Sequence, residues 1–357
     1  MIESVFSRSA LRVAVMGLGR AAMNEHLPVL AADRESFSVV AACELIKERR
    51  DALARVFPGC KMFRDFSDML DERNFDAVLV SIPAVNRLKY ALMSLERGFR
   101  TVLESPLALT ADDAKMLRGA SLKSSNLLAV VERGVLSPDF LLACKAASDA
   151  RLGTLQKVVV RREEFVRRSD WRALRRTGGG AAYCELPGLV VPALRLVKGR
   201  PVQMWSDVKR IVSTGDAEDY VHLEVLSSAG VTADIEYNGA FLDGNVSPSY
   251  TLVGSRGVFK VMQGERSGLM TFLPPSYRLP RMRTTVRTPP LAERNEKVPT
   301  ASETISLDPS AECGLRLFWK SVSAASRKGA AMPSSLDESI EAVRFMQLVR
   351  KSSQFGR

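Results

Sequence analysis

Three groups of residues in this chain could do chemistry. The first is Gly17-Leu18-Gly19-Arg20-Ala21-Ala22, a G-x-G-x-x-G/A pattern directly after the apolar run Arg12-Val13-Ala14-Val15-Met16. Gly17 permits a tight turn, Gly19 lets backbone approach a bound group, and Ala22 allows close packing of the following helix. A helix starting here turns its N-terminal N–H groups and positive dipole end toward a pyrophosphate. The second is Glu44, at the end of the next apolar run and about twenty residues beyond the motif. A carboxylate there can bind both ribose hydroxyls and repels a 2′-phosphate. NAD is therefore expected, with NADP as the alternative because Lys47, Arg49 and Arg50 stand nearby. The third is a stretch holding Arg161, Arg162, Arg167, Arg168, Arg172, Arg175 and Arg176, diluted by Glu163, Glu164 and Asp170. Guanidinium forks bind carboxylates and phosphates bidentately. They point to an anionic ligand, or else face solvent and pair with Glu163 and Glu164.

Strands and helices must alternate to hold such a site. The short apolar runs 12–16, 39–43, 77–81, 101–103 and 127–131 read as strands buried on both faces. Helical patterns fall between them, at 47–56, 87–97 and 111–122, and one carries Ala22, Leu27 and Leu30. That is a parallel α/β domain, 1–131. Beyond it the pattern changes to a helix at 141–150 and longer alternating strands at 156–162, 202–212, 221–227, 231–237, 250–254 and 258–262. Ser228-Ala229-Gly230 and Ser255-Arg256-Gly257 read as hairpin turns. The second domain, 132–357, is thus α+β with a large, mostly antiparallel open sheet. Residues 273–300 read as a long loop, and helices at 311–325 and 336–351 follow. The last is expected to pack back toward the first domain.

The motifs, in order, resemble the glucose-fructose oxidoreductase / inositol dehydrogenase (Gfo/Idh/MocA) family. The carriers are Val13-Ala14-Val15-Met16-Gly17-Leu18-Gly19, His26-Leu27-Pro28 and Val80-Ser81-Ile82-Pro83. They continue with Val102-Leu103-Glu104-Ser105-Pro106-Leu107-Ala108, Ser137-Pro138, Asp170-Trp171-Arg172, Gly178-Gly179-Gly180, and the helix holding Glu338 and Arg344. The resemblance implies a Rossmann domain, then a domain whose open sheet makes a homodimer or homotetramer. It implies hydride transfer between a nicotinamide and a sugar- or polyol-like hydroxyl. It adds Arg20, Ala21, Ser81, Ile82, Pro83, Arg87, Glu104 and Ser105 to the cofactor-binding set, and Trp171, Arg172 and Arg168 to the substrate mouth.

The departures from the family are as informative. Its Glu-Lys-Pro lysine is Ser105 here, and a serine cannot set a positive charge beside a developing alkoxide. Its catalytic histidine position falls on Gly188 or Leu189, and its other histidine position on Arg87. The two histidines present, His26 and His222, match neither. Tyr183 and Glu185 are the nearest titratable substitutes in that segment and are the catalytic candidates. The alternatives are a core aromatic for Tyr183 and a helix N-terminal carboxylate for Glu185. The reading is an NAD(P)-dependent oxidoreductase acting on a sugar-like, anionic substrate. A catalytically impaired regulatory protein and an NAD-using glycosidase-like enzyme are the alternatives.

Composition narrows the classes. Five scattered cysteines without a C-x-x-C pair indicate neither a disulfide framework nor a zinc site, so no metal is expected and a reducing cytoplasm fits. No run approaches the ~18 apolar residues of a membrane span. The net charge of +11 is spread through helices, which argues against a nucleic-acid partner.

Overall fold

A computed structural model describes residues 10–125, 127–244, 246–279 and 298–353. The first apolar runs form one parallel sheet: β1 (Leu11–Met16), β2 (Phe37–Cys43), β3 (Lys61–Phe63), β4 (Ala77–Val80), β5 (Arg100–Glu104) and β6 (Leu128–Val131). The strand order is β3-β2-β1-β4-β5-β6, the doubly wound order of a Rossmann domain. β4 and β6 are buried at every position, which is why they lack polar alternation. After β1, Ala22–His26 forms a π turn in which Leu27 N–H donates to Ala22 O, and α1 (Leu27–Ala32) continues it. The other crossovers are α2 (Lys47–Val56), α3 (Phe66–Asp71), α4 (Ala84–Glu96) and α5 (Ala111–Ser124). Sequence reading missed β3 and α3. β3 is a three-residue edge strand with an exposed first residue, too short to leave a period. α3 is announced only by its cap, Asp65, which accepts from Ser67 and Asp68 N–H.

The second domain opens with α6 (Pro138–Ala147), whose cap is Ser137. Its sheet contains β7 (Leu155–Glu163), β8 (Pro201–Lys209), β9 (Tyr220–Ser227), β10 (Thr232–Asn238), β11 (Tyr250–Gly254), β12 (Gly257–Val261), β13 (Ser267–Phe272) and β14 (Ala301–Ser306). The order is β14-β13-β12-β11-β7-β10-β9-β8, antiparallel except between β7 and β10. Both expected hairpins are present, β9–β10 and β11–β12. β13 and β14 were not foreseen. In β14 only Ile305 is buried, so an edge strand reads as polar loop. Of the loop expected at 273–300, the described ends are irregular and 280–297 lie outside the described residues.

Between β7 and β8 run α7 (Ala181–Cys184) and α8 (Pro187–Val197). α8 is mostly buried, and Arg195 is its one charged residue. The stretch Arg175–Val197 is long and apolar enough to cross a membrane by composition alone, which corrects the reading that no run approaches that length. Some 72% of its apolar window is buried inside the protein, as for a core helix. Finally α9 (Gly314–Lys328) packs on α1 and β6, and α10 (Leu336–Ser352) packs on α5, β6 and α8. The C-terminal helices thus cover the Rossmann domain while touching the second one.

Candidate active site

The glycine turn is built for two separate reasons. Gly17 has φ +88°, and a Cβ there would sit 2.5 Å from Ile82 Cγ2 and 2.6 Å from Ser81 O. Glycine at 17 is therefore required by the fold itself. Gly19 differs, because a Cβ there would meet only Ser81 O, at 3.9 Å. What Gly19 keeps clear is the cleft in front of it. A cavity of about 420 Å³ lies there, lined by Gly17, Gly19, Glu44, Arg49, Ser81 and Pro83 among others. A second, of about 580 Å³, continues it past Gly19, Arg20 and Ala21 to Glu104 and Ser105. Together they run along the C-terminal ends of the strands, as a dinucleotide requires.

Glu44 closes the far end. Its carboxylate accepts from Leu18 N–H (2.9 Å) and Ile46 N–H (3.0 Å), with Arg49 3.6 Å away. Burial would raise its pKa, but the backbone donors outweigh that and lower it. Arg87 lines the second cavity, and its guanidinium is bonded to backbone carbonyls. It is buried, and Nη1 donates to the carbonyls of Glu104 (2.7 Å) and Pro106, Nη2 to that of Ile82 (3.1 Å). It clamps the loops after β4 and β5, and burial lowers its pKa to about 10.

Behind the cleft lies a buried chain. Trp319 Nε1 donates to His26 Nδ1 at 3.0 Å, so the imidazole carries its proton on Nε2 and donates to Glu104 Oε1 at 2.7 Å. Arg133 meets the same carboxylate at 3.1 Å. Burial alone would raise the Glu104 pKa, but His26, Arg133 and Arg87 hold it down to about 2. Ionised Glu104 therefore stabilises the fold above the ordinary value of 4.5, and that contribution is lost as pH falls from there toward about 2. Glu104→Gln should flatten the pH dependence of unfolding in that window, read from urea melts at a series of pH values. An unchanged slope would remove Glu104 from the account.

A third, inner cavity of about 290 Å³ adjoins the cleft, lined by Asp139, Arg161, Arg162, Gly188, Leu189 and Tyr250 among others. The two share Glu104, Ser105, Arg133, Arg162, Cys184 and Glu185. Three polar atoms of the inner chamber's walls are buried without a hydrogen-bond partner: Asp139 Oδ1, Arg161 Nε and Arg162 Nε. Asp139 Oδ2 accepts from Ser249 Oγ at 2.7 Å, and the side chain is nearly inaccessible.

The expected substrate residues Arg168, Trp171 and Arg172 line the outer cleft. Arg168 pairs with Glu185 (2.9 Å) and Arg172 with Asp170 (2.6 Å). Of the cluster, Arg162 lies 3.9 Å from Glu164, as one expectation had it, while Arg168 and Arg172 pair with other acids. Glu185 borders both the outer cleft and the inner chamber. Tyr183 is set apart, with its ring 4.3 Å from the Arg350 guanidinium, and it lines none of these cavities. Sequence reading missed Glu132, Arg133 and Asp139. The signal was available, since residues just past the end of β6 fall at the strand-end cleft. Among the described residues one group, His222, Glu224 and Asp234, has metal-ligand spacing, but Lys157 already pairs with Asp234 at 2.8 Å.

A family profile described as oxidoreductase family, NAD-binding Rossmann fold, matches residues 11–131. Residues 11–131 thus match the Gfo/Idh/MocA NAD-binding domain, and the rest of the chain is similar to such oxidoreductases at low identity. A scyllo-inositol 2-dehydrogenase (NADP(+)) of Bacillus subtilis is 22% identical over 97% of this chain and 95% of its own length. An uncharacterized oxidoreductase of Schizosaccharomyces pombe is 25% identical over 70% and 69%. Among solved structures, an NAD-binding protein from Listeria innocua superposes with TM-score 0.80 at 19% identity, over 98% of this chain and 99% of that one. The WlbA dehydrogenase from Bordetella pertussis, in complex with NADH and UDP-GlcNAcA, has TM-score 0.76 at 19% identity over 98% of both. The Gfo/Idh/MocA cofactor is of the NAD type, and the open space before Gly19, the donor-bound Glu44 and the cleft volume fit one. Gly188 and Leu189 line the inner chamber and carry no titratable group.

Proposed function

We propose that this chain oxidises or reduces one hydroxyl carbon of an anionic, sugar- or polyol-like substrate with NAD, NADP being the alternative cofactor. The observation that carries the reading is the shared wall of the two chambers, which joins the dinucleotide cleft to the inner cavity at Ser105. Gly17, Gly19, Arg20, Ala21 and Ala22 would hold the pyrophosphate, Glu44 the ribose, and Ser81, Ile82 and Pro83 the floor beneath. When bound, the dinucleotide supplies a hydride acceptor or donor at that junction. Arg161 and Arg162, whose Nε atoms make no hydrogen bond and lie 3.8 Å from Glu236 and 3.9 Å from Glu164, would turn their guanidinium groups to a carboxylate or phosphate, and Asp139 Oδ1 would accept from a sugar hydroxyl. Glu185, held by Arg168, would take a second hydroxyl. The open sheet face, where Val202, Trp205 and Leu269 stand exposed, is the surface we assign to a homodimer or homotetramer. Five free cysteines fit a reducing cytoplasm.

The test is spectroscopic. Purified protein is titrated with NAD and NADP, then offered sugar acids and phosphorylated polyols while the reduced-nicotinamide absorbance is followed. Tight dinucleotide binding with turnover of at least one anionic sugar is expected. Failure to bind either dinucleotide would overturn the reading. Binding without turnover would favour the regulatory alternative, whose supporting observation is the absence of a titratable group at Gly188 and Leu189.

A further inference from the structure

The structure offers a proton path that the family motif does not contain. Ser105 stands where the family has lysine, at the junction of cleft and inner chamber. Its hydroxyl is not idle: Oγ donates to Glu132 Oε2 at 2.9 Å. Glu132 is 1% exposed, and its other oxygen, Oε1, accepts from Ser339 Oγ of α10, also 2.9 Å away. Ser339 is as deeply buried, so the carboxyl is sealed on that side. Ser105 is the part-exposed link between Glu132 and the chamber. We propose that Ser105 and Glu132 form the proton relay of this site, with Glu132 as the base that acts through the serine hydroxyl. This rests on the oxidoreductase reading above.

The chemistry balances without a lysine. A serine hydroxyl donates one hydrogen bond and accepts others, so Oγ can point its proton at Glu132 while receiving one from a substrate hydroxyl. In the oxidising direction the substrate O–H proton moves to Ser105 Oγ as the serine proton moves to Glu132 Oε2. The C–H hydrogen leaves with its electron pair to an oxidised nicotinamide dinucleotide, and a carbonyl product remains. Protonated Glu132 then returns its proton through Ser105 to water in the emptied chamber. In the reducing direction each transfer reverses.

The other candidates at the junction serve less well. Glu104 is held near 2 by His26 and Arg133, which makes it a weak base. Burial pushes the Cys184 thiol up to about 12. Glu185 is tied to Arg168 at 2.9 Å. Glu132 has the opposite bias. Burial raises its pKa, the Ser339 and Ser105 hydroxyls lower it, Glu338 on α10 raises it and Arg87 on α4 lowers it, with the net shift upward. Glu338 is itself paired with Arg195 of α8, at 2.6 Å. A carboxyl raised toward neutrality is what a general base needs.

Two variants and two readouts test this. Glu132→Gln and Ser105→Ala should each lower turnover about 10²–10⁴-fold, and Glu132→Gln should leave dinucleotide affinity unchanged. Both should lose the acid limb of the kcat–pH profile, because the oxidising direction needs Glu132 ionised. Ser105→Thr, which keeps a hydroxyl, should recover most of the rate. The second readout needs no cofactor or substrate. Difference infrared spectra of the unloaded protein against pH should show a carboxylic-acid C=O band that titrates, is absent from Glu132→Gln and shifts in Ser105→Ala. A turnover profile unchanged in Glu132→Gln, or no Glu132-dependent infrared band, would overturn the relay and leave the oxidoreductase reading standing. If the wild type binds no dinucleotide, it is that reading that falls. If it binds but turns over nothing offered, the infrared arm alone decides the relay.

Discussion

Replacing Gly19 with leucine should abolish dinucleotide binding while leaving the melting temperature where it was. The two halves of that expectation come from different atoms. In the unloaded protein a Cβ at 19 has only Ser81 O nearby, at 3.9 Å, so the fold tolerates one. The side chain must then project into the cleft that Gly19, Arg20, Ser81 and Ile82 surround. That is the space where backbone must approach a pyrophosphate. Overpacking there should cost at least ~3 kcal/mol of binding, roughly 100-fold or more in Kd. Gly17→Ala is the contrasting variant. Its Cβ would collide with Ile82 and the Ser81 carbonyl in a left-handed backbone, so it should lower the melting temperature as well. Calorimetric titration with NADH, paired with thermal melts, separates the two. Gly19→Leu protein that binds within tenfold of wild type would show that the cofactor lies elsewhere.

Glu218→Ala should be the most damaging single change in the second domain. The Glu218 side chain is wholly buried and accepts from Arg350 Nη2 at 2.9 Å through both oxygens. It also accepts from Ala182 N–H at 3.1 Å. Arg350, on α10, donates to Gly179 O and lies over the Tyr183 ring. Gly180 has no Cβ because one would sit 2.3 Å from Glu218 Oε1. Three elements therefore converge on one carboxylate: the triple-glycine turn, α7 and the C-terminal helix. Removing it leaves a mostly buried guanidinium without its counter-charge, at a cost of ~3–5 kcal/mol. Urea denaturation of Glu218→Ala measures this. A loss below ~1 kcal/mol would mean that water replaces the carboxylate and that the pair is dispensable. Tyr183 belongs to this structural cluster, so Tyr183→Phe should leave turnover close to wild type.

The parts legible in the sequence are those that depend on neighbours along the chain. β1 and the glycine turn are adjacent in sequence, Glu44 follows at the end of the next strand, and their residue types state their purpose. The two hairpins were legible for the same reason. The parts that escaped depend on contacts between distant segments. β14 reads as polar because it pairs along one edge and buries only Ile305. α8 reads as undifferentiated because it is buried on nearly every side. Arg87 has the carbonyls of Ile82, Glu104 and Pro106 folded around it, and no local pattern announces that. The Ser105–Glu132 contact spans 27 positions between two parallel strand ends. Ser105 alone looks like the loss of a catalytic lysine, and only its partner gives the hydroxyl something to do.

The indole of Trp319 reaches the imidazole of His26 across 293 positions of chain. This has a consequence for the order in which a ribosome delivers the molecule. By the time β6 has emerged, all six strands of the N-terminal sheet exist and can pair. The helices that cover β6, α1 and α5 have not yet been made. At ordinary elongation speeds the wait is on the order of 10–40 s, far longer than local folding takes. Throughout it, the His26–Glu104 pair and the apolar surface destined for Phe318 and Trp319 stand uncovered. The nascent N-terminal domain is thus a sheet with one side unfinished until α9 and α10 have been made.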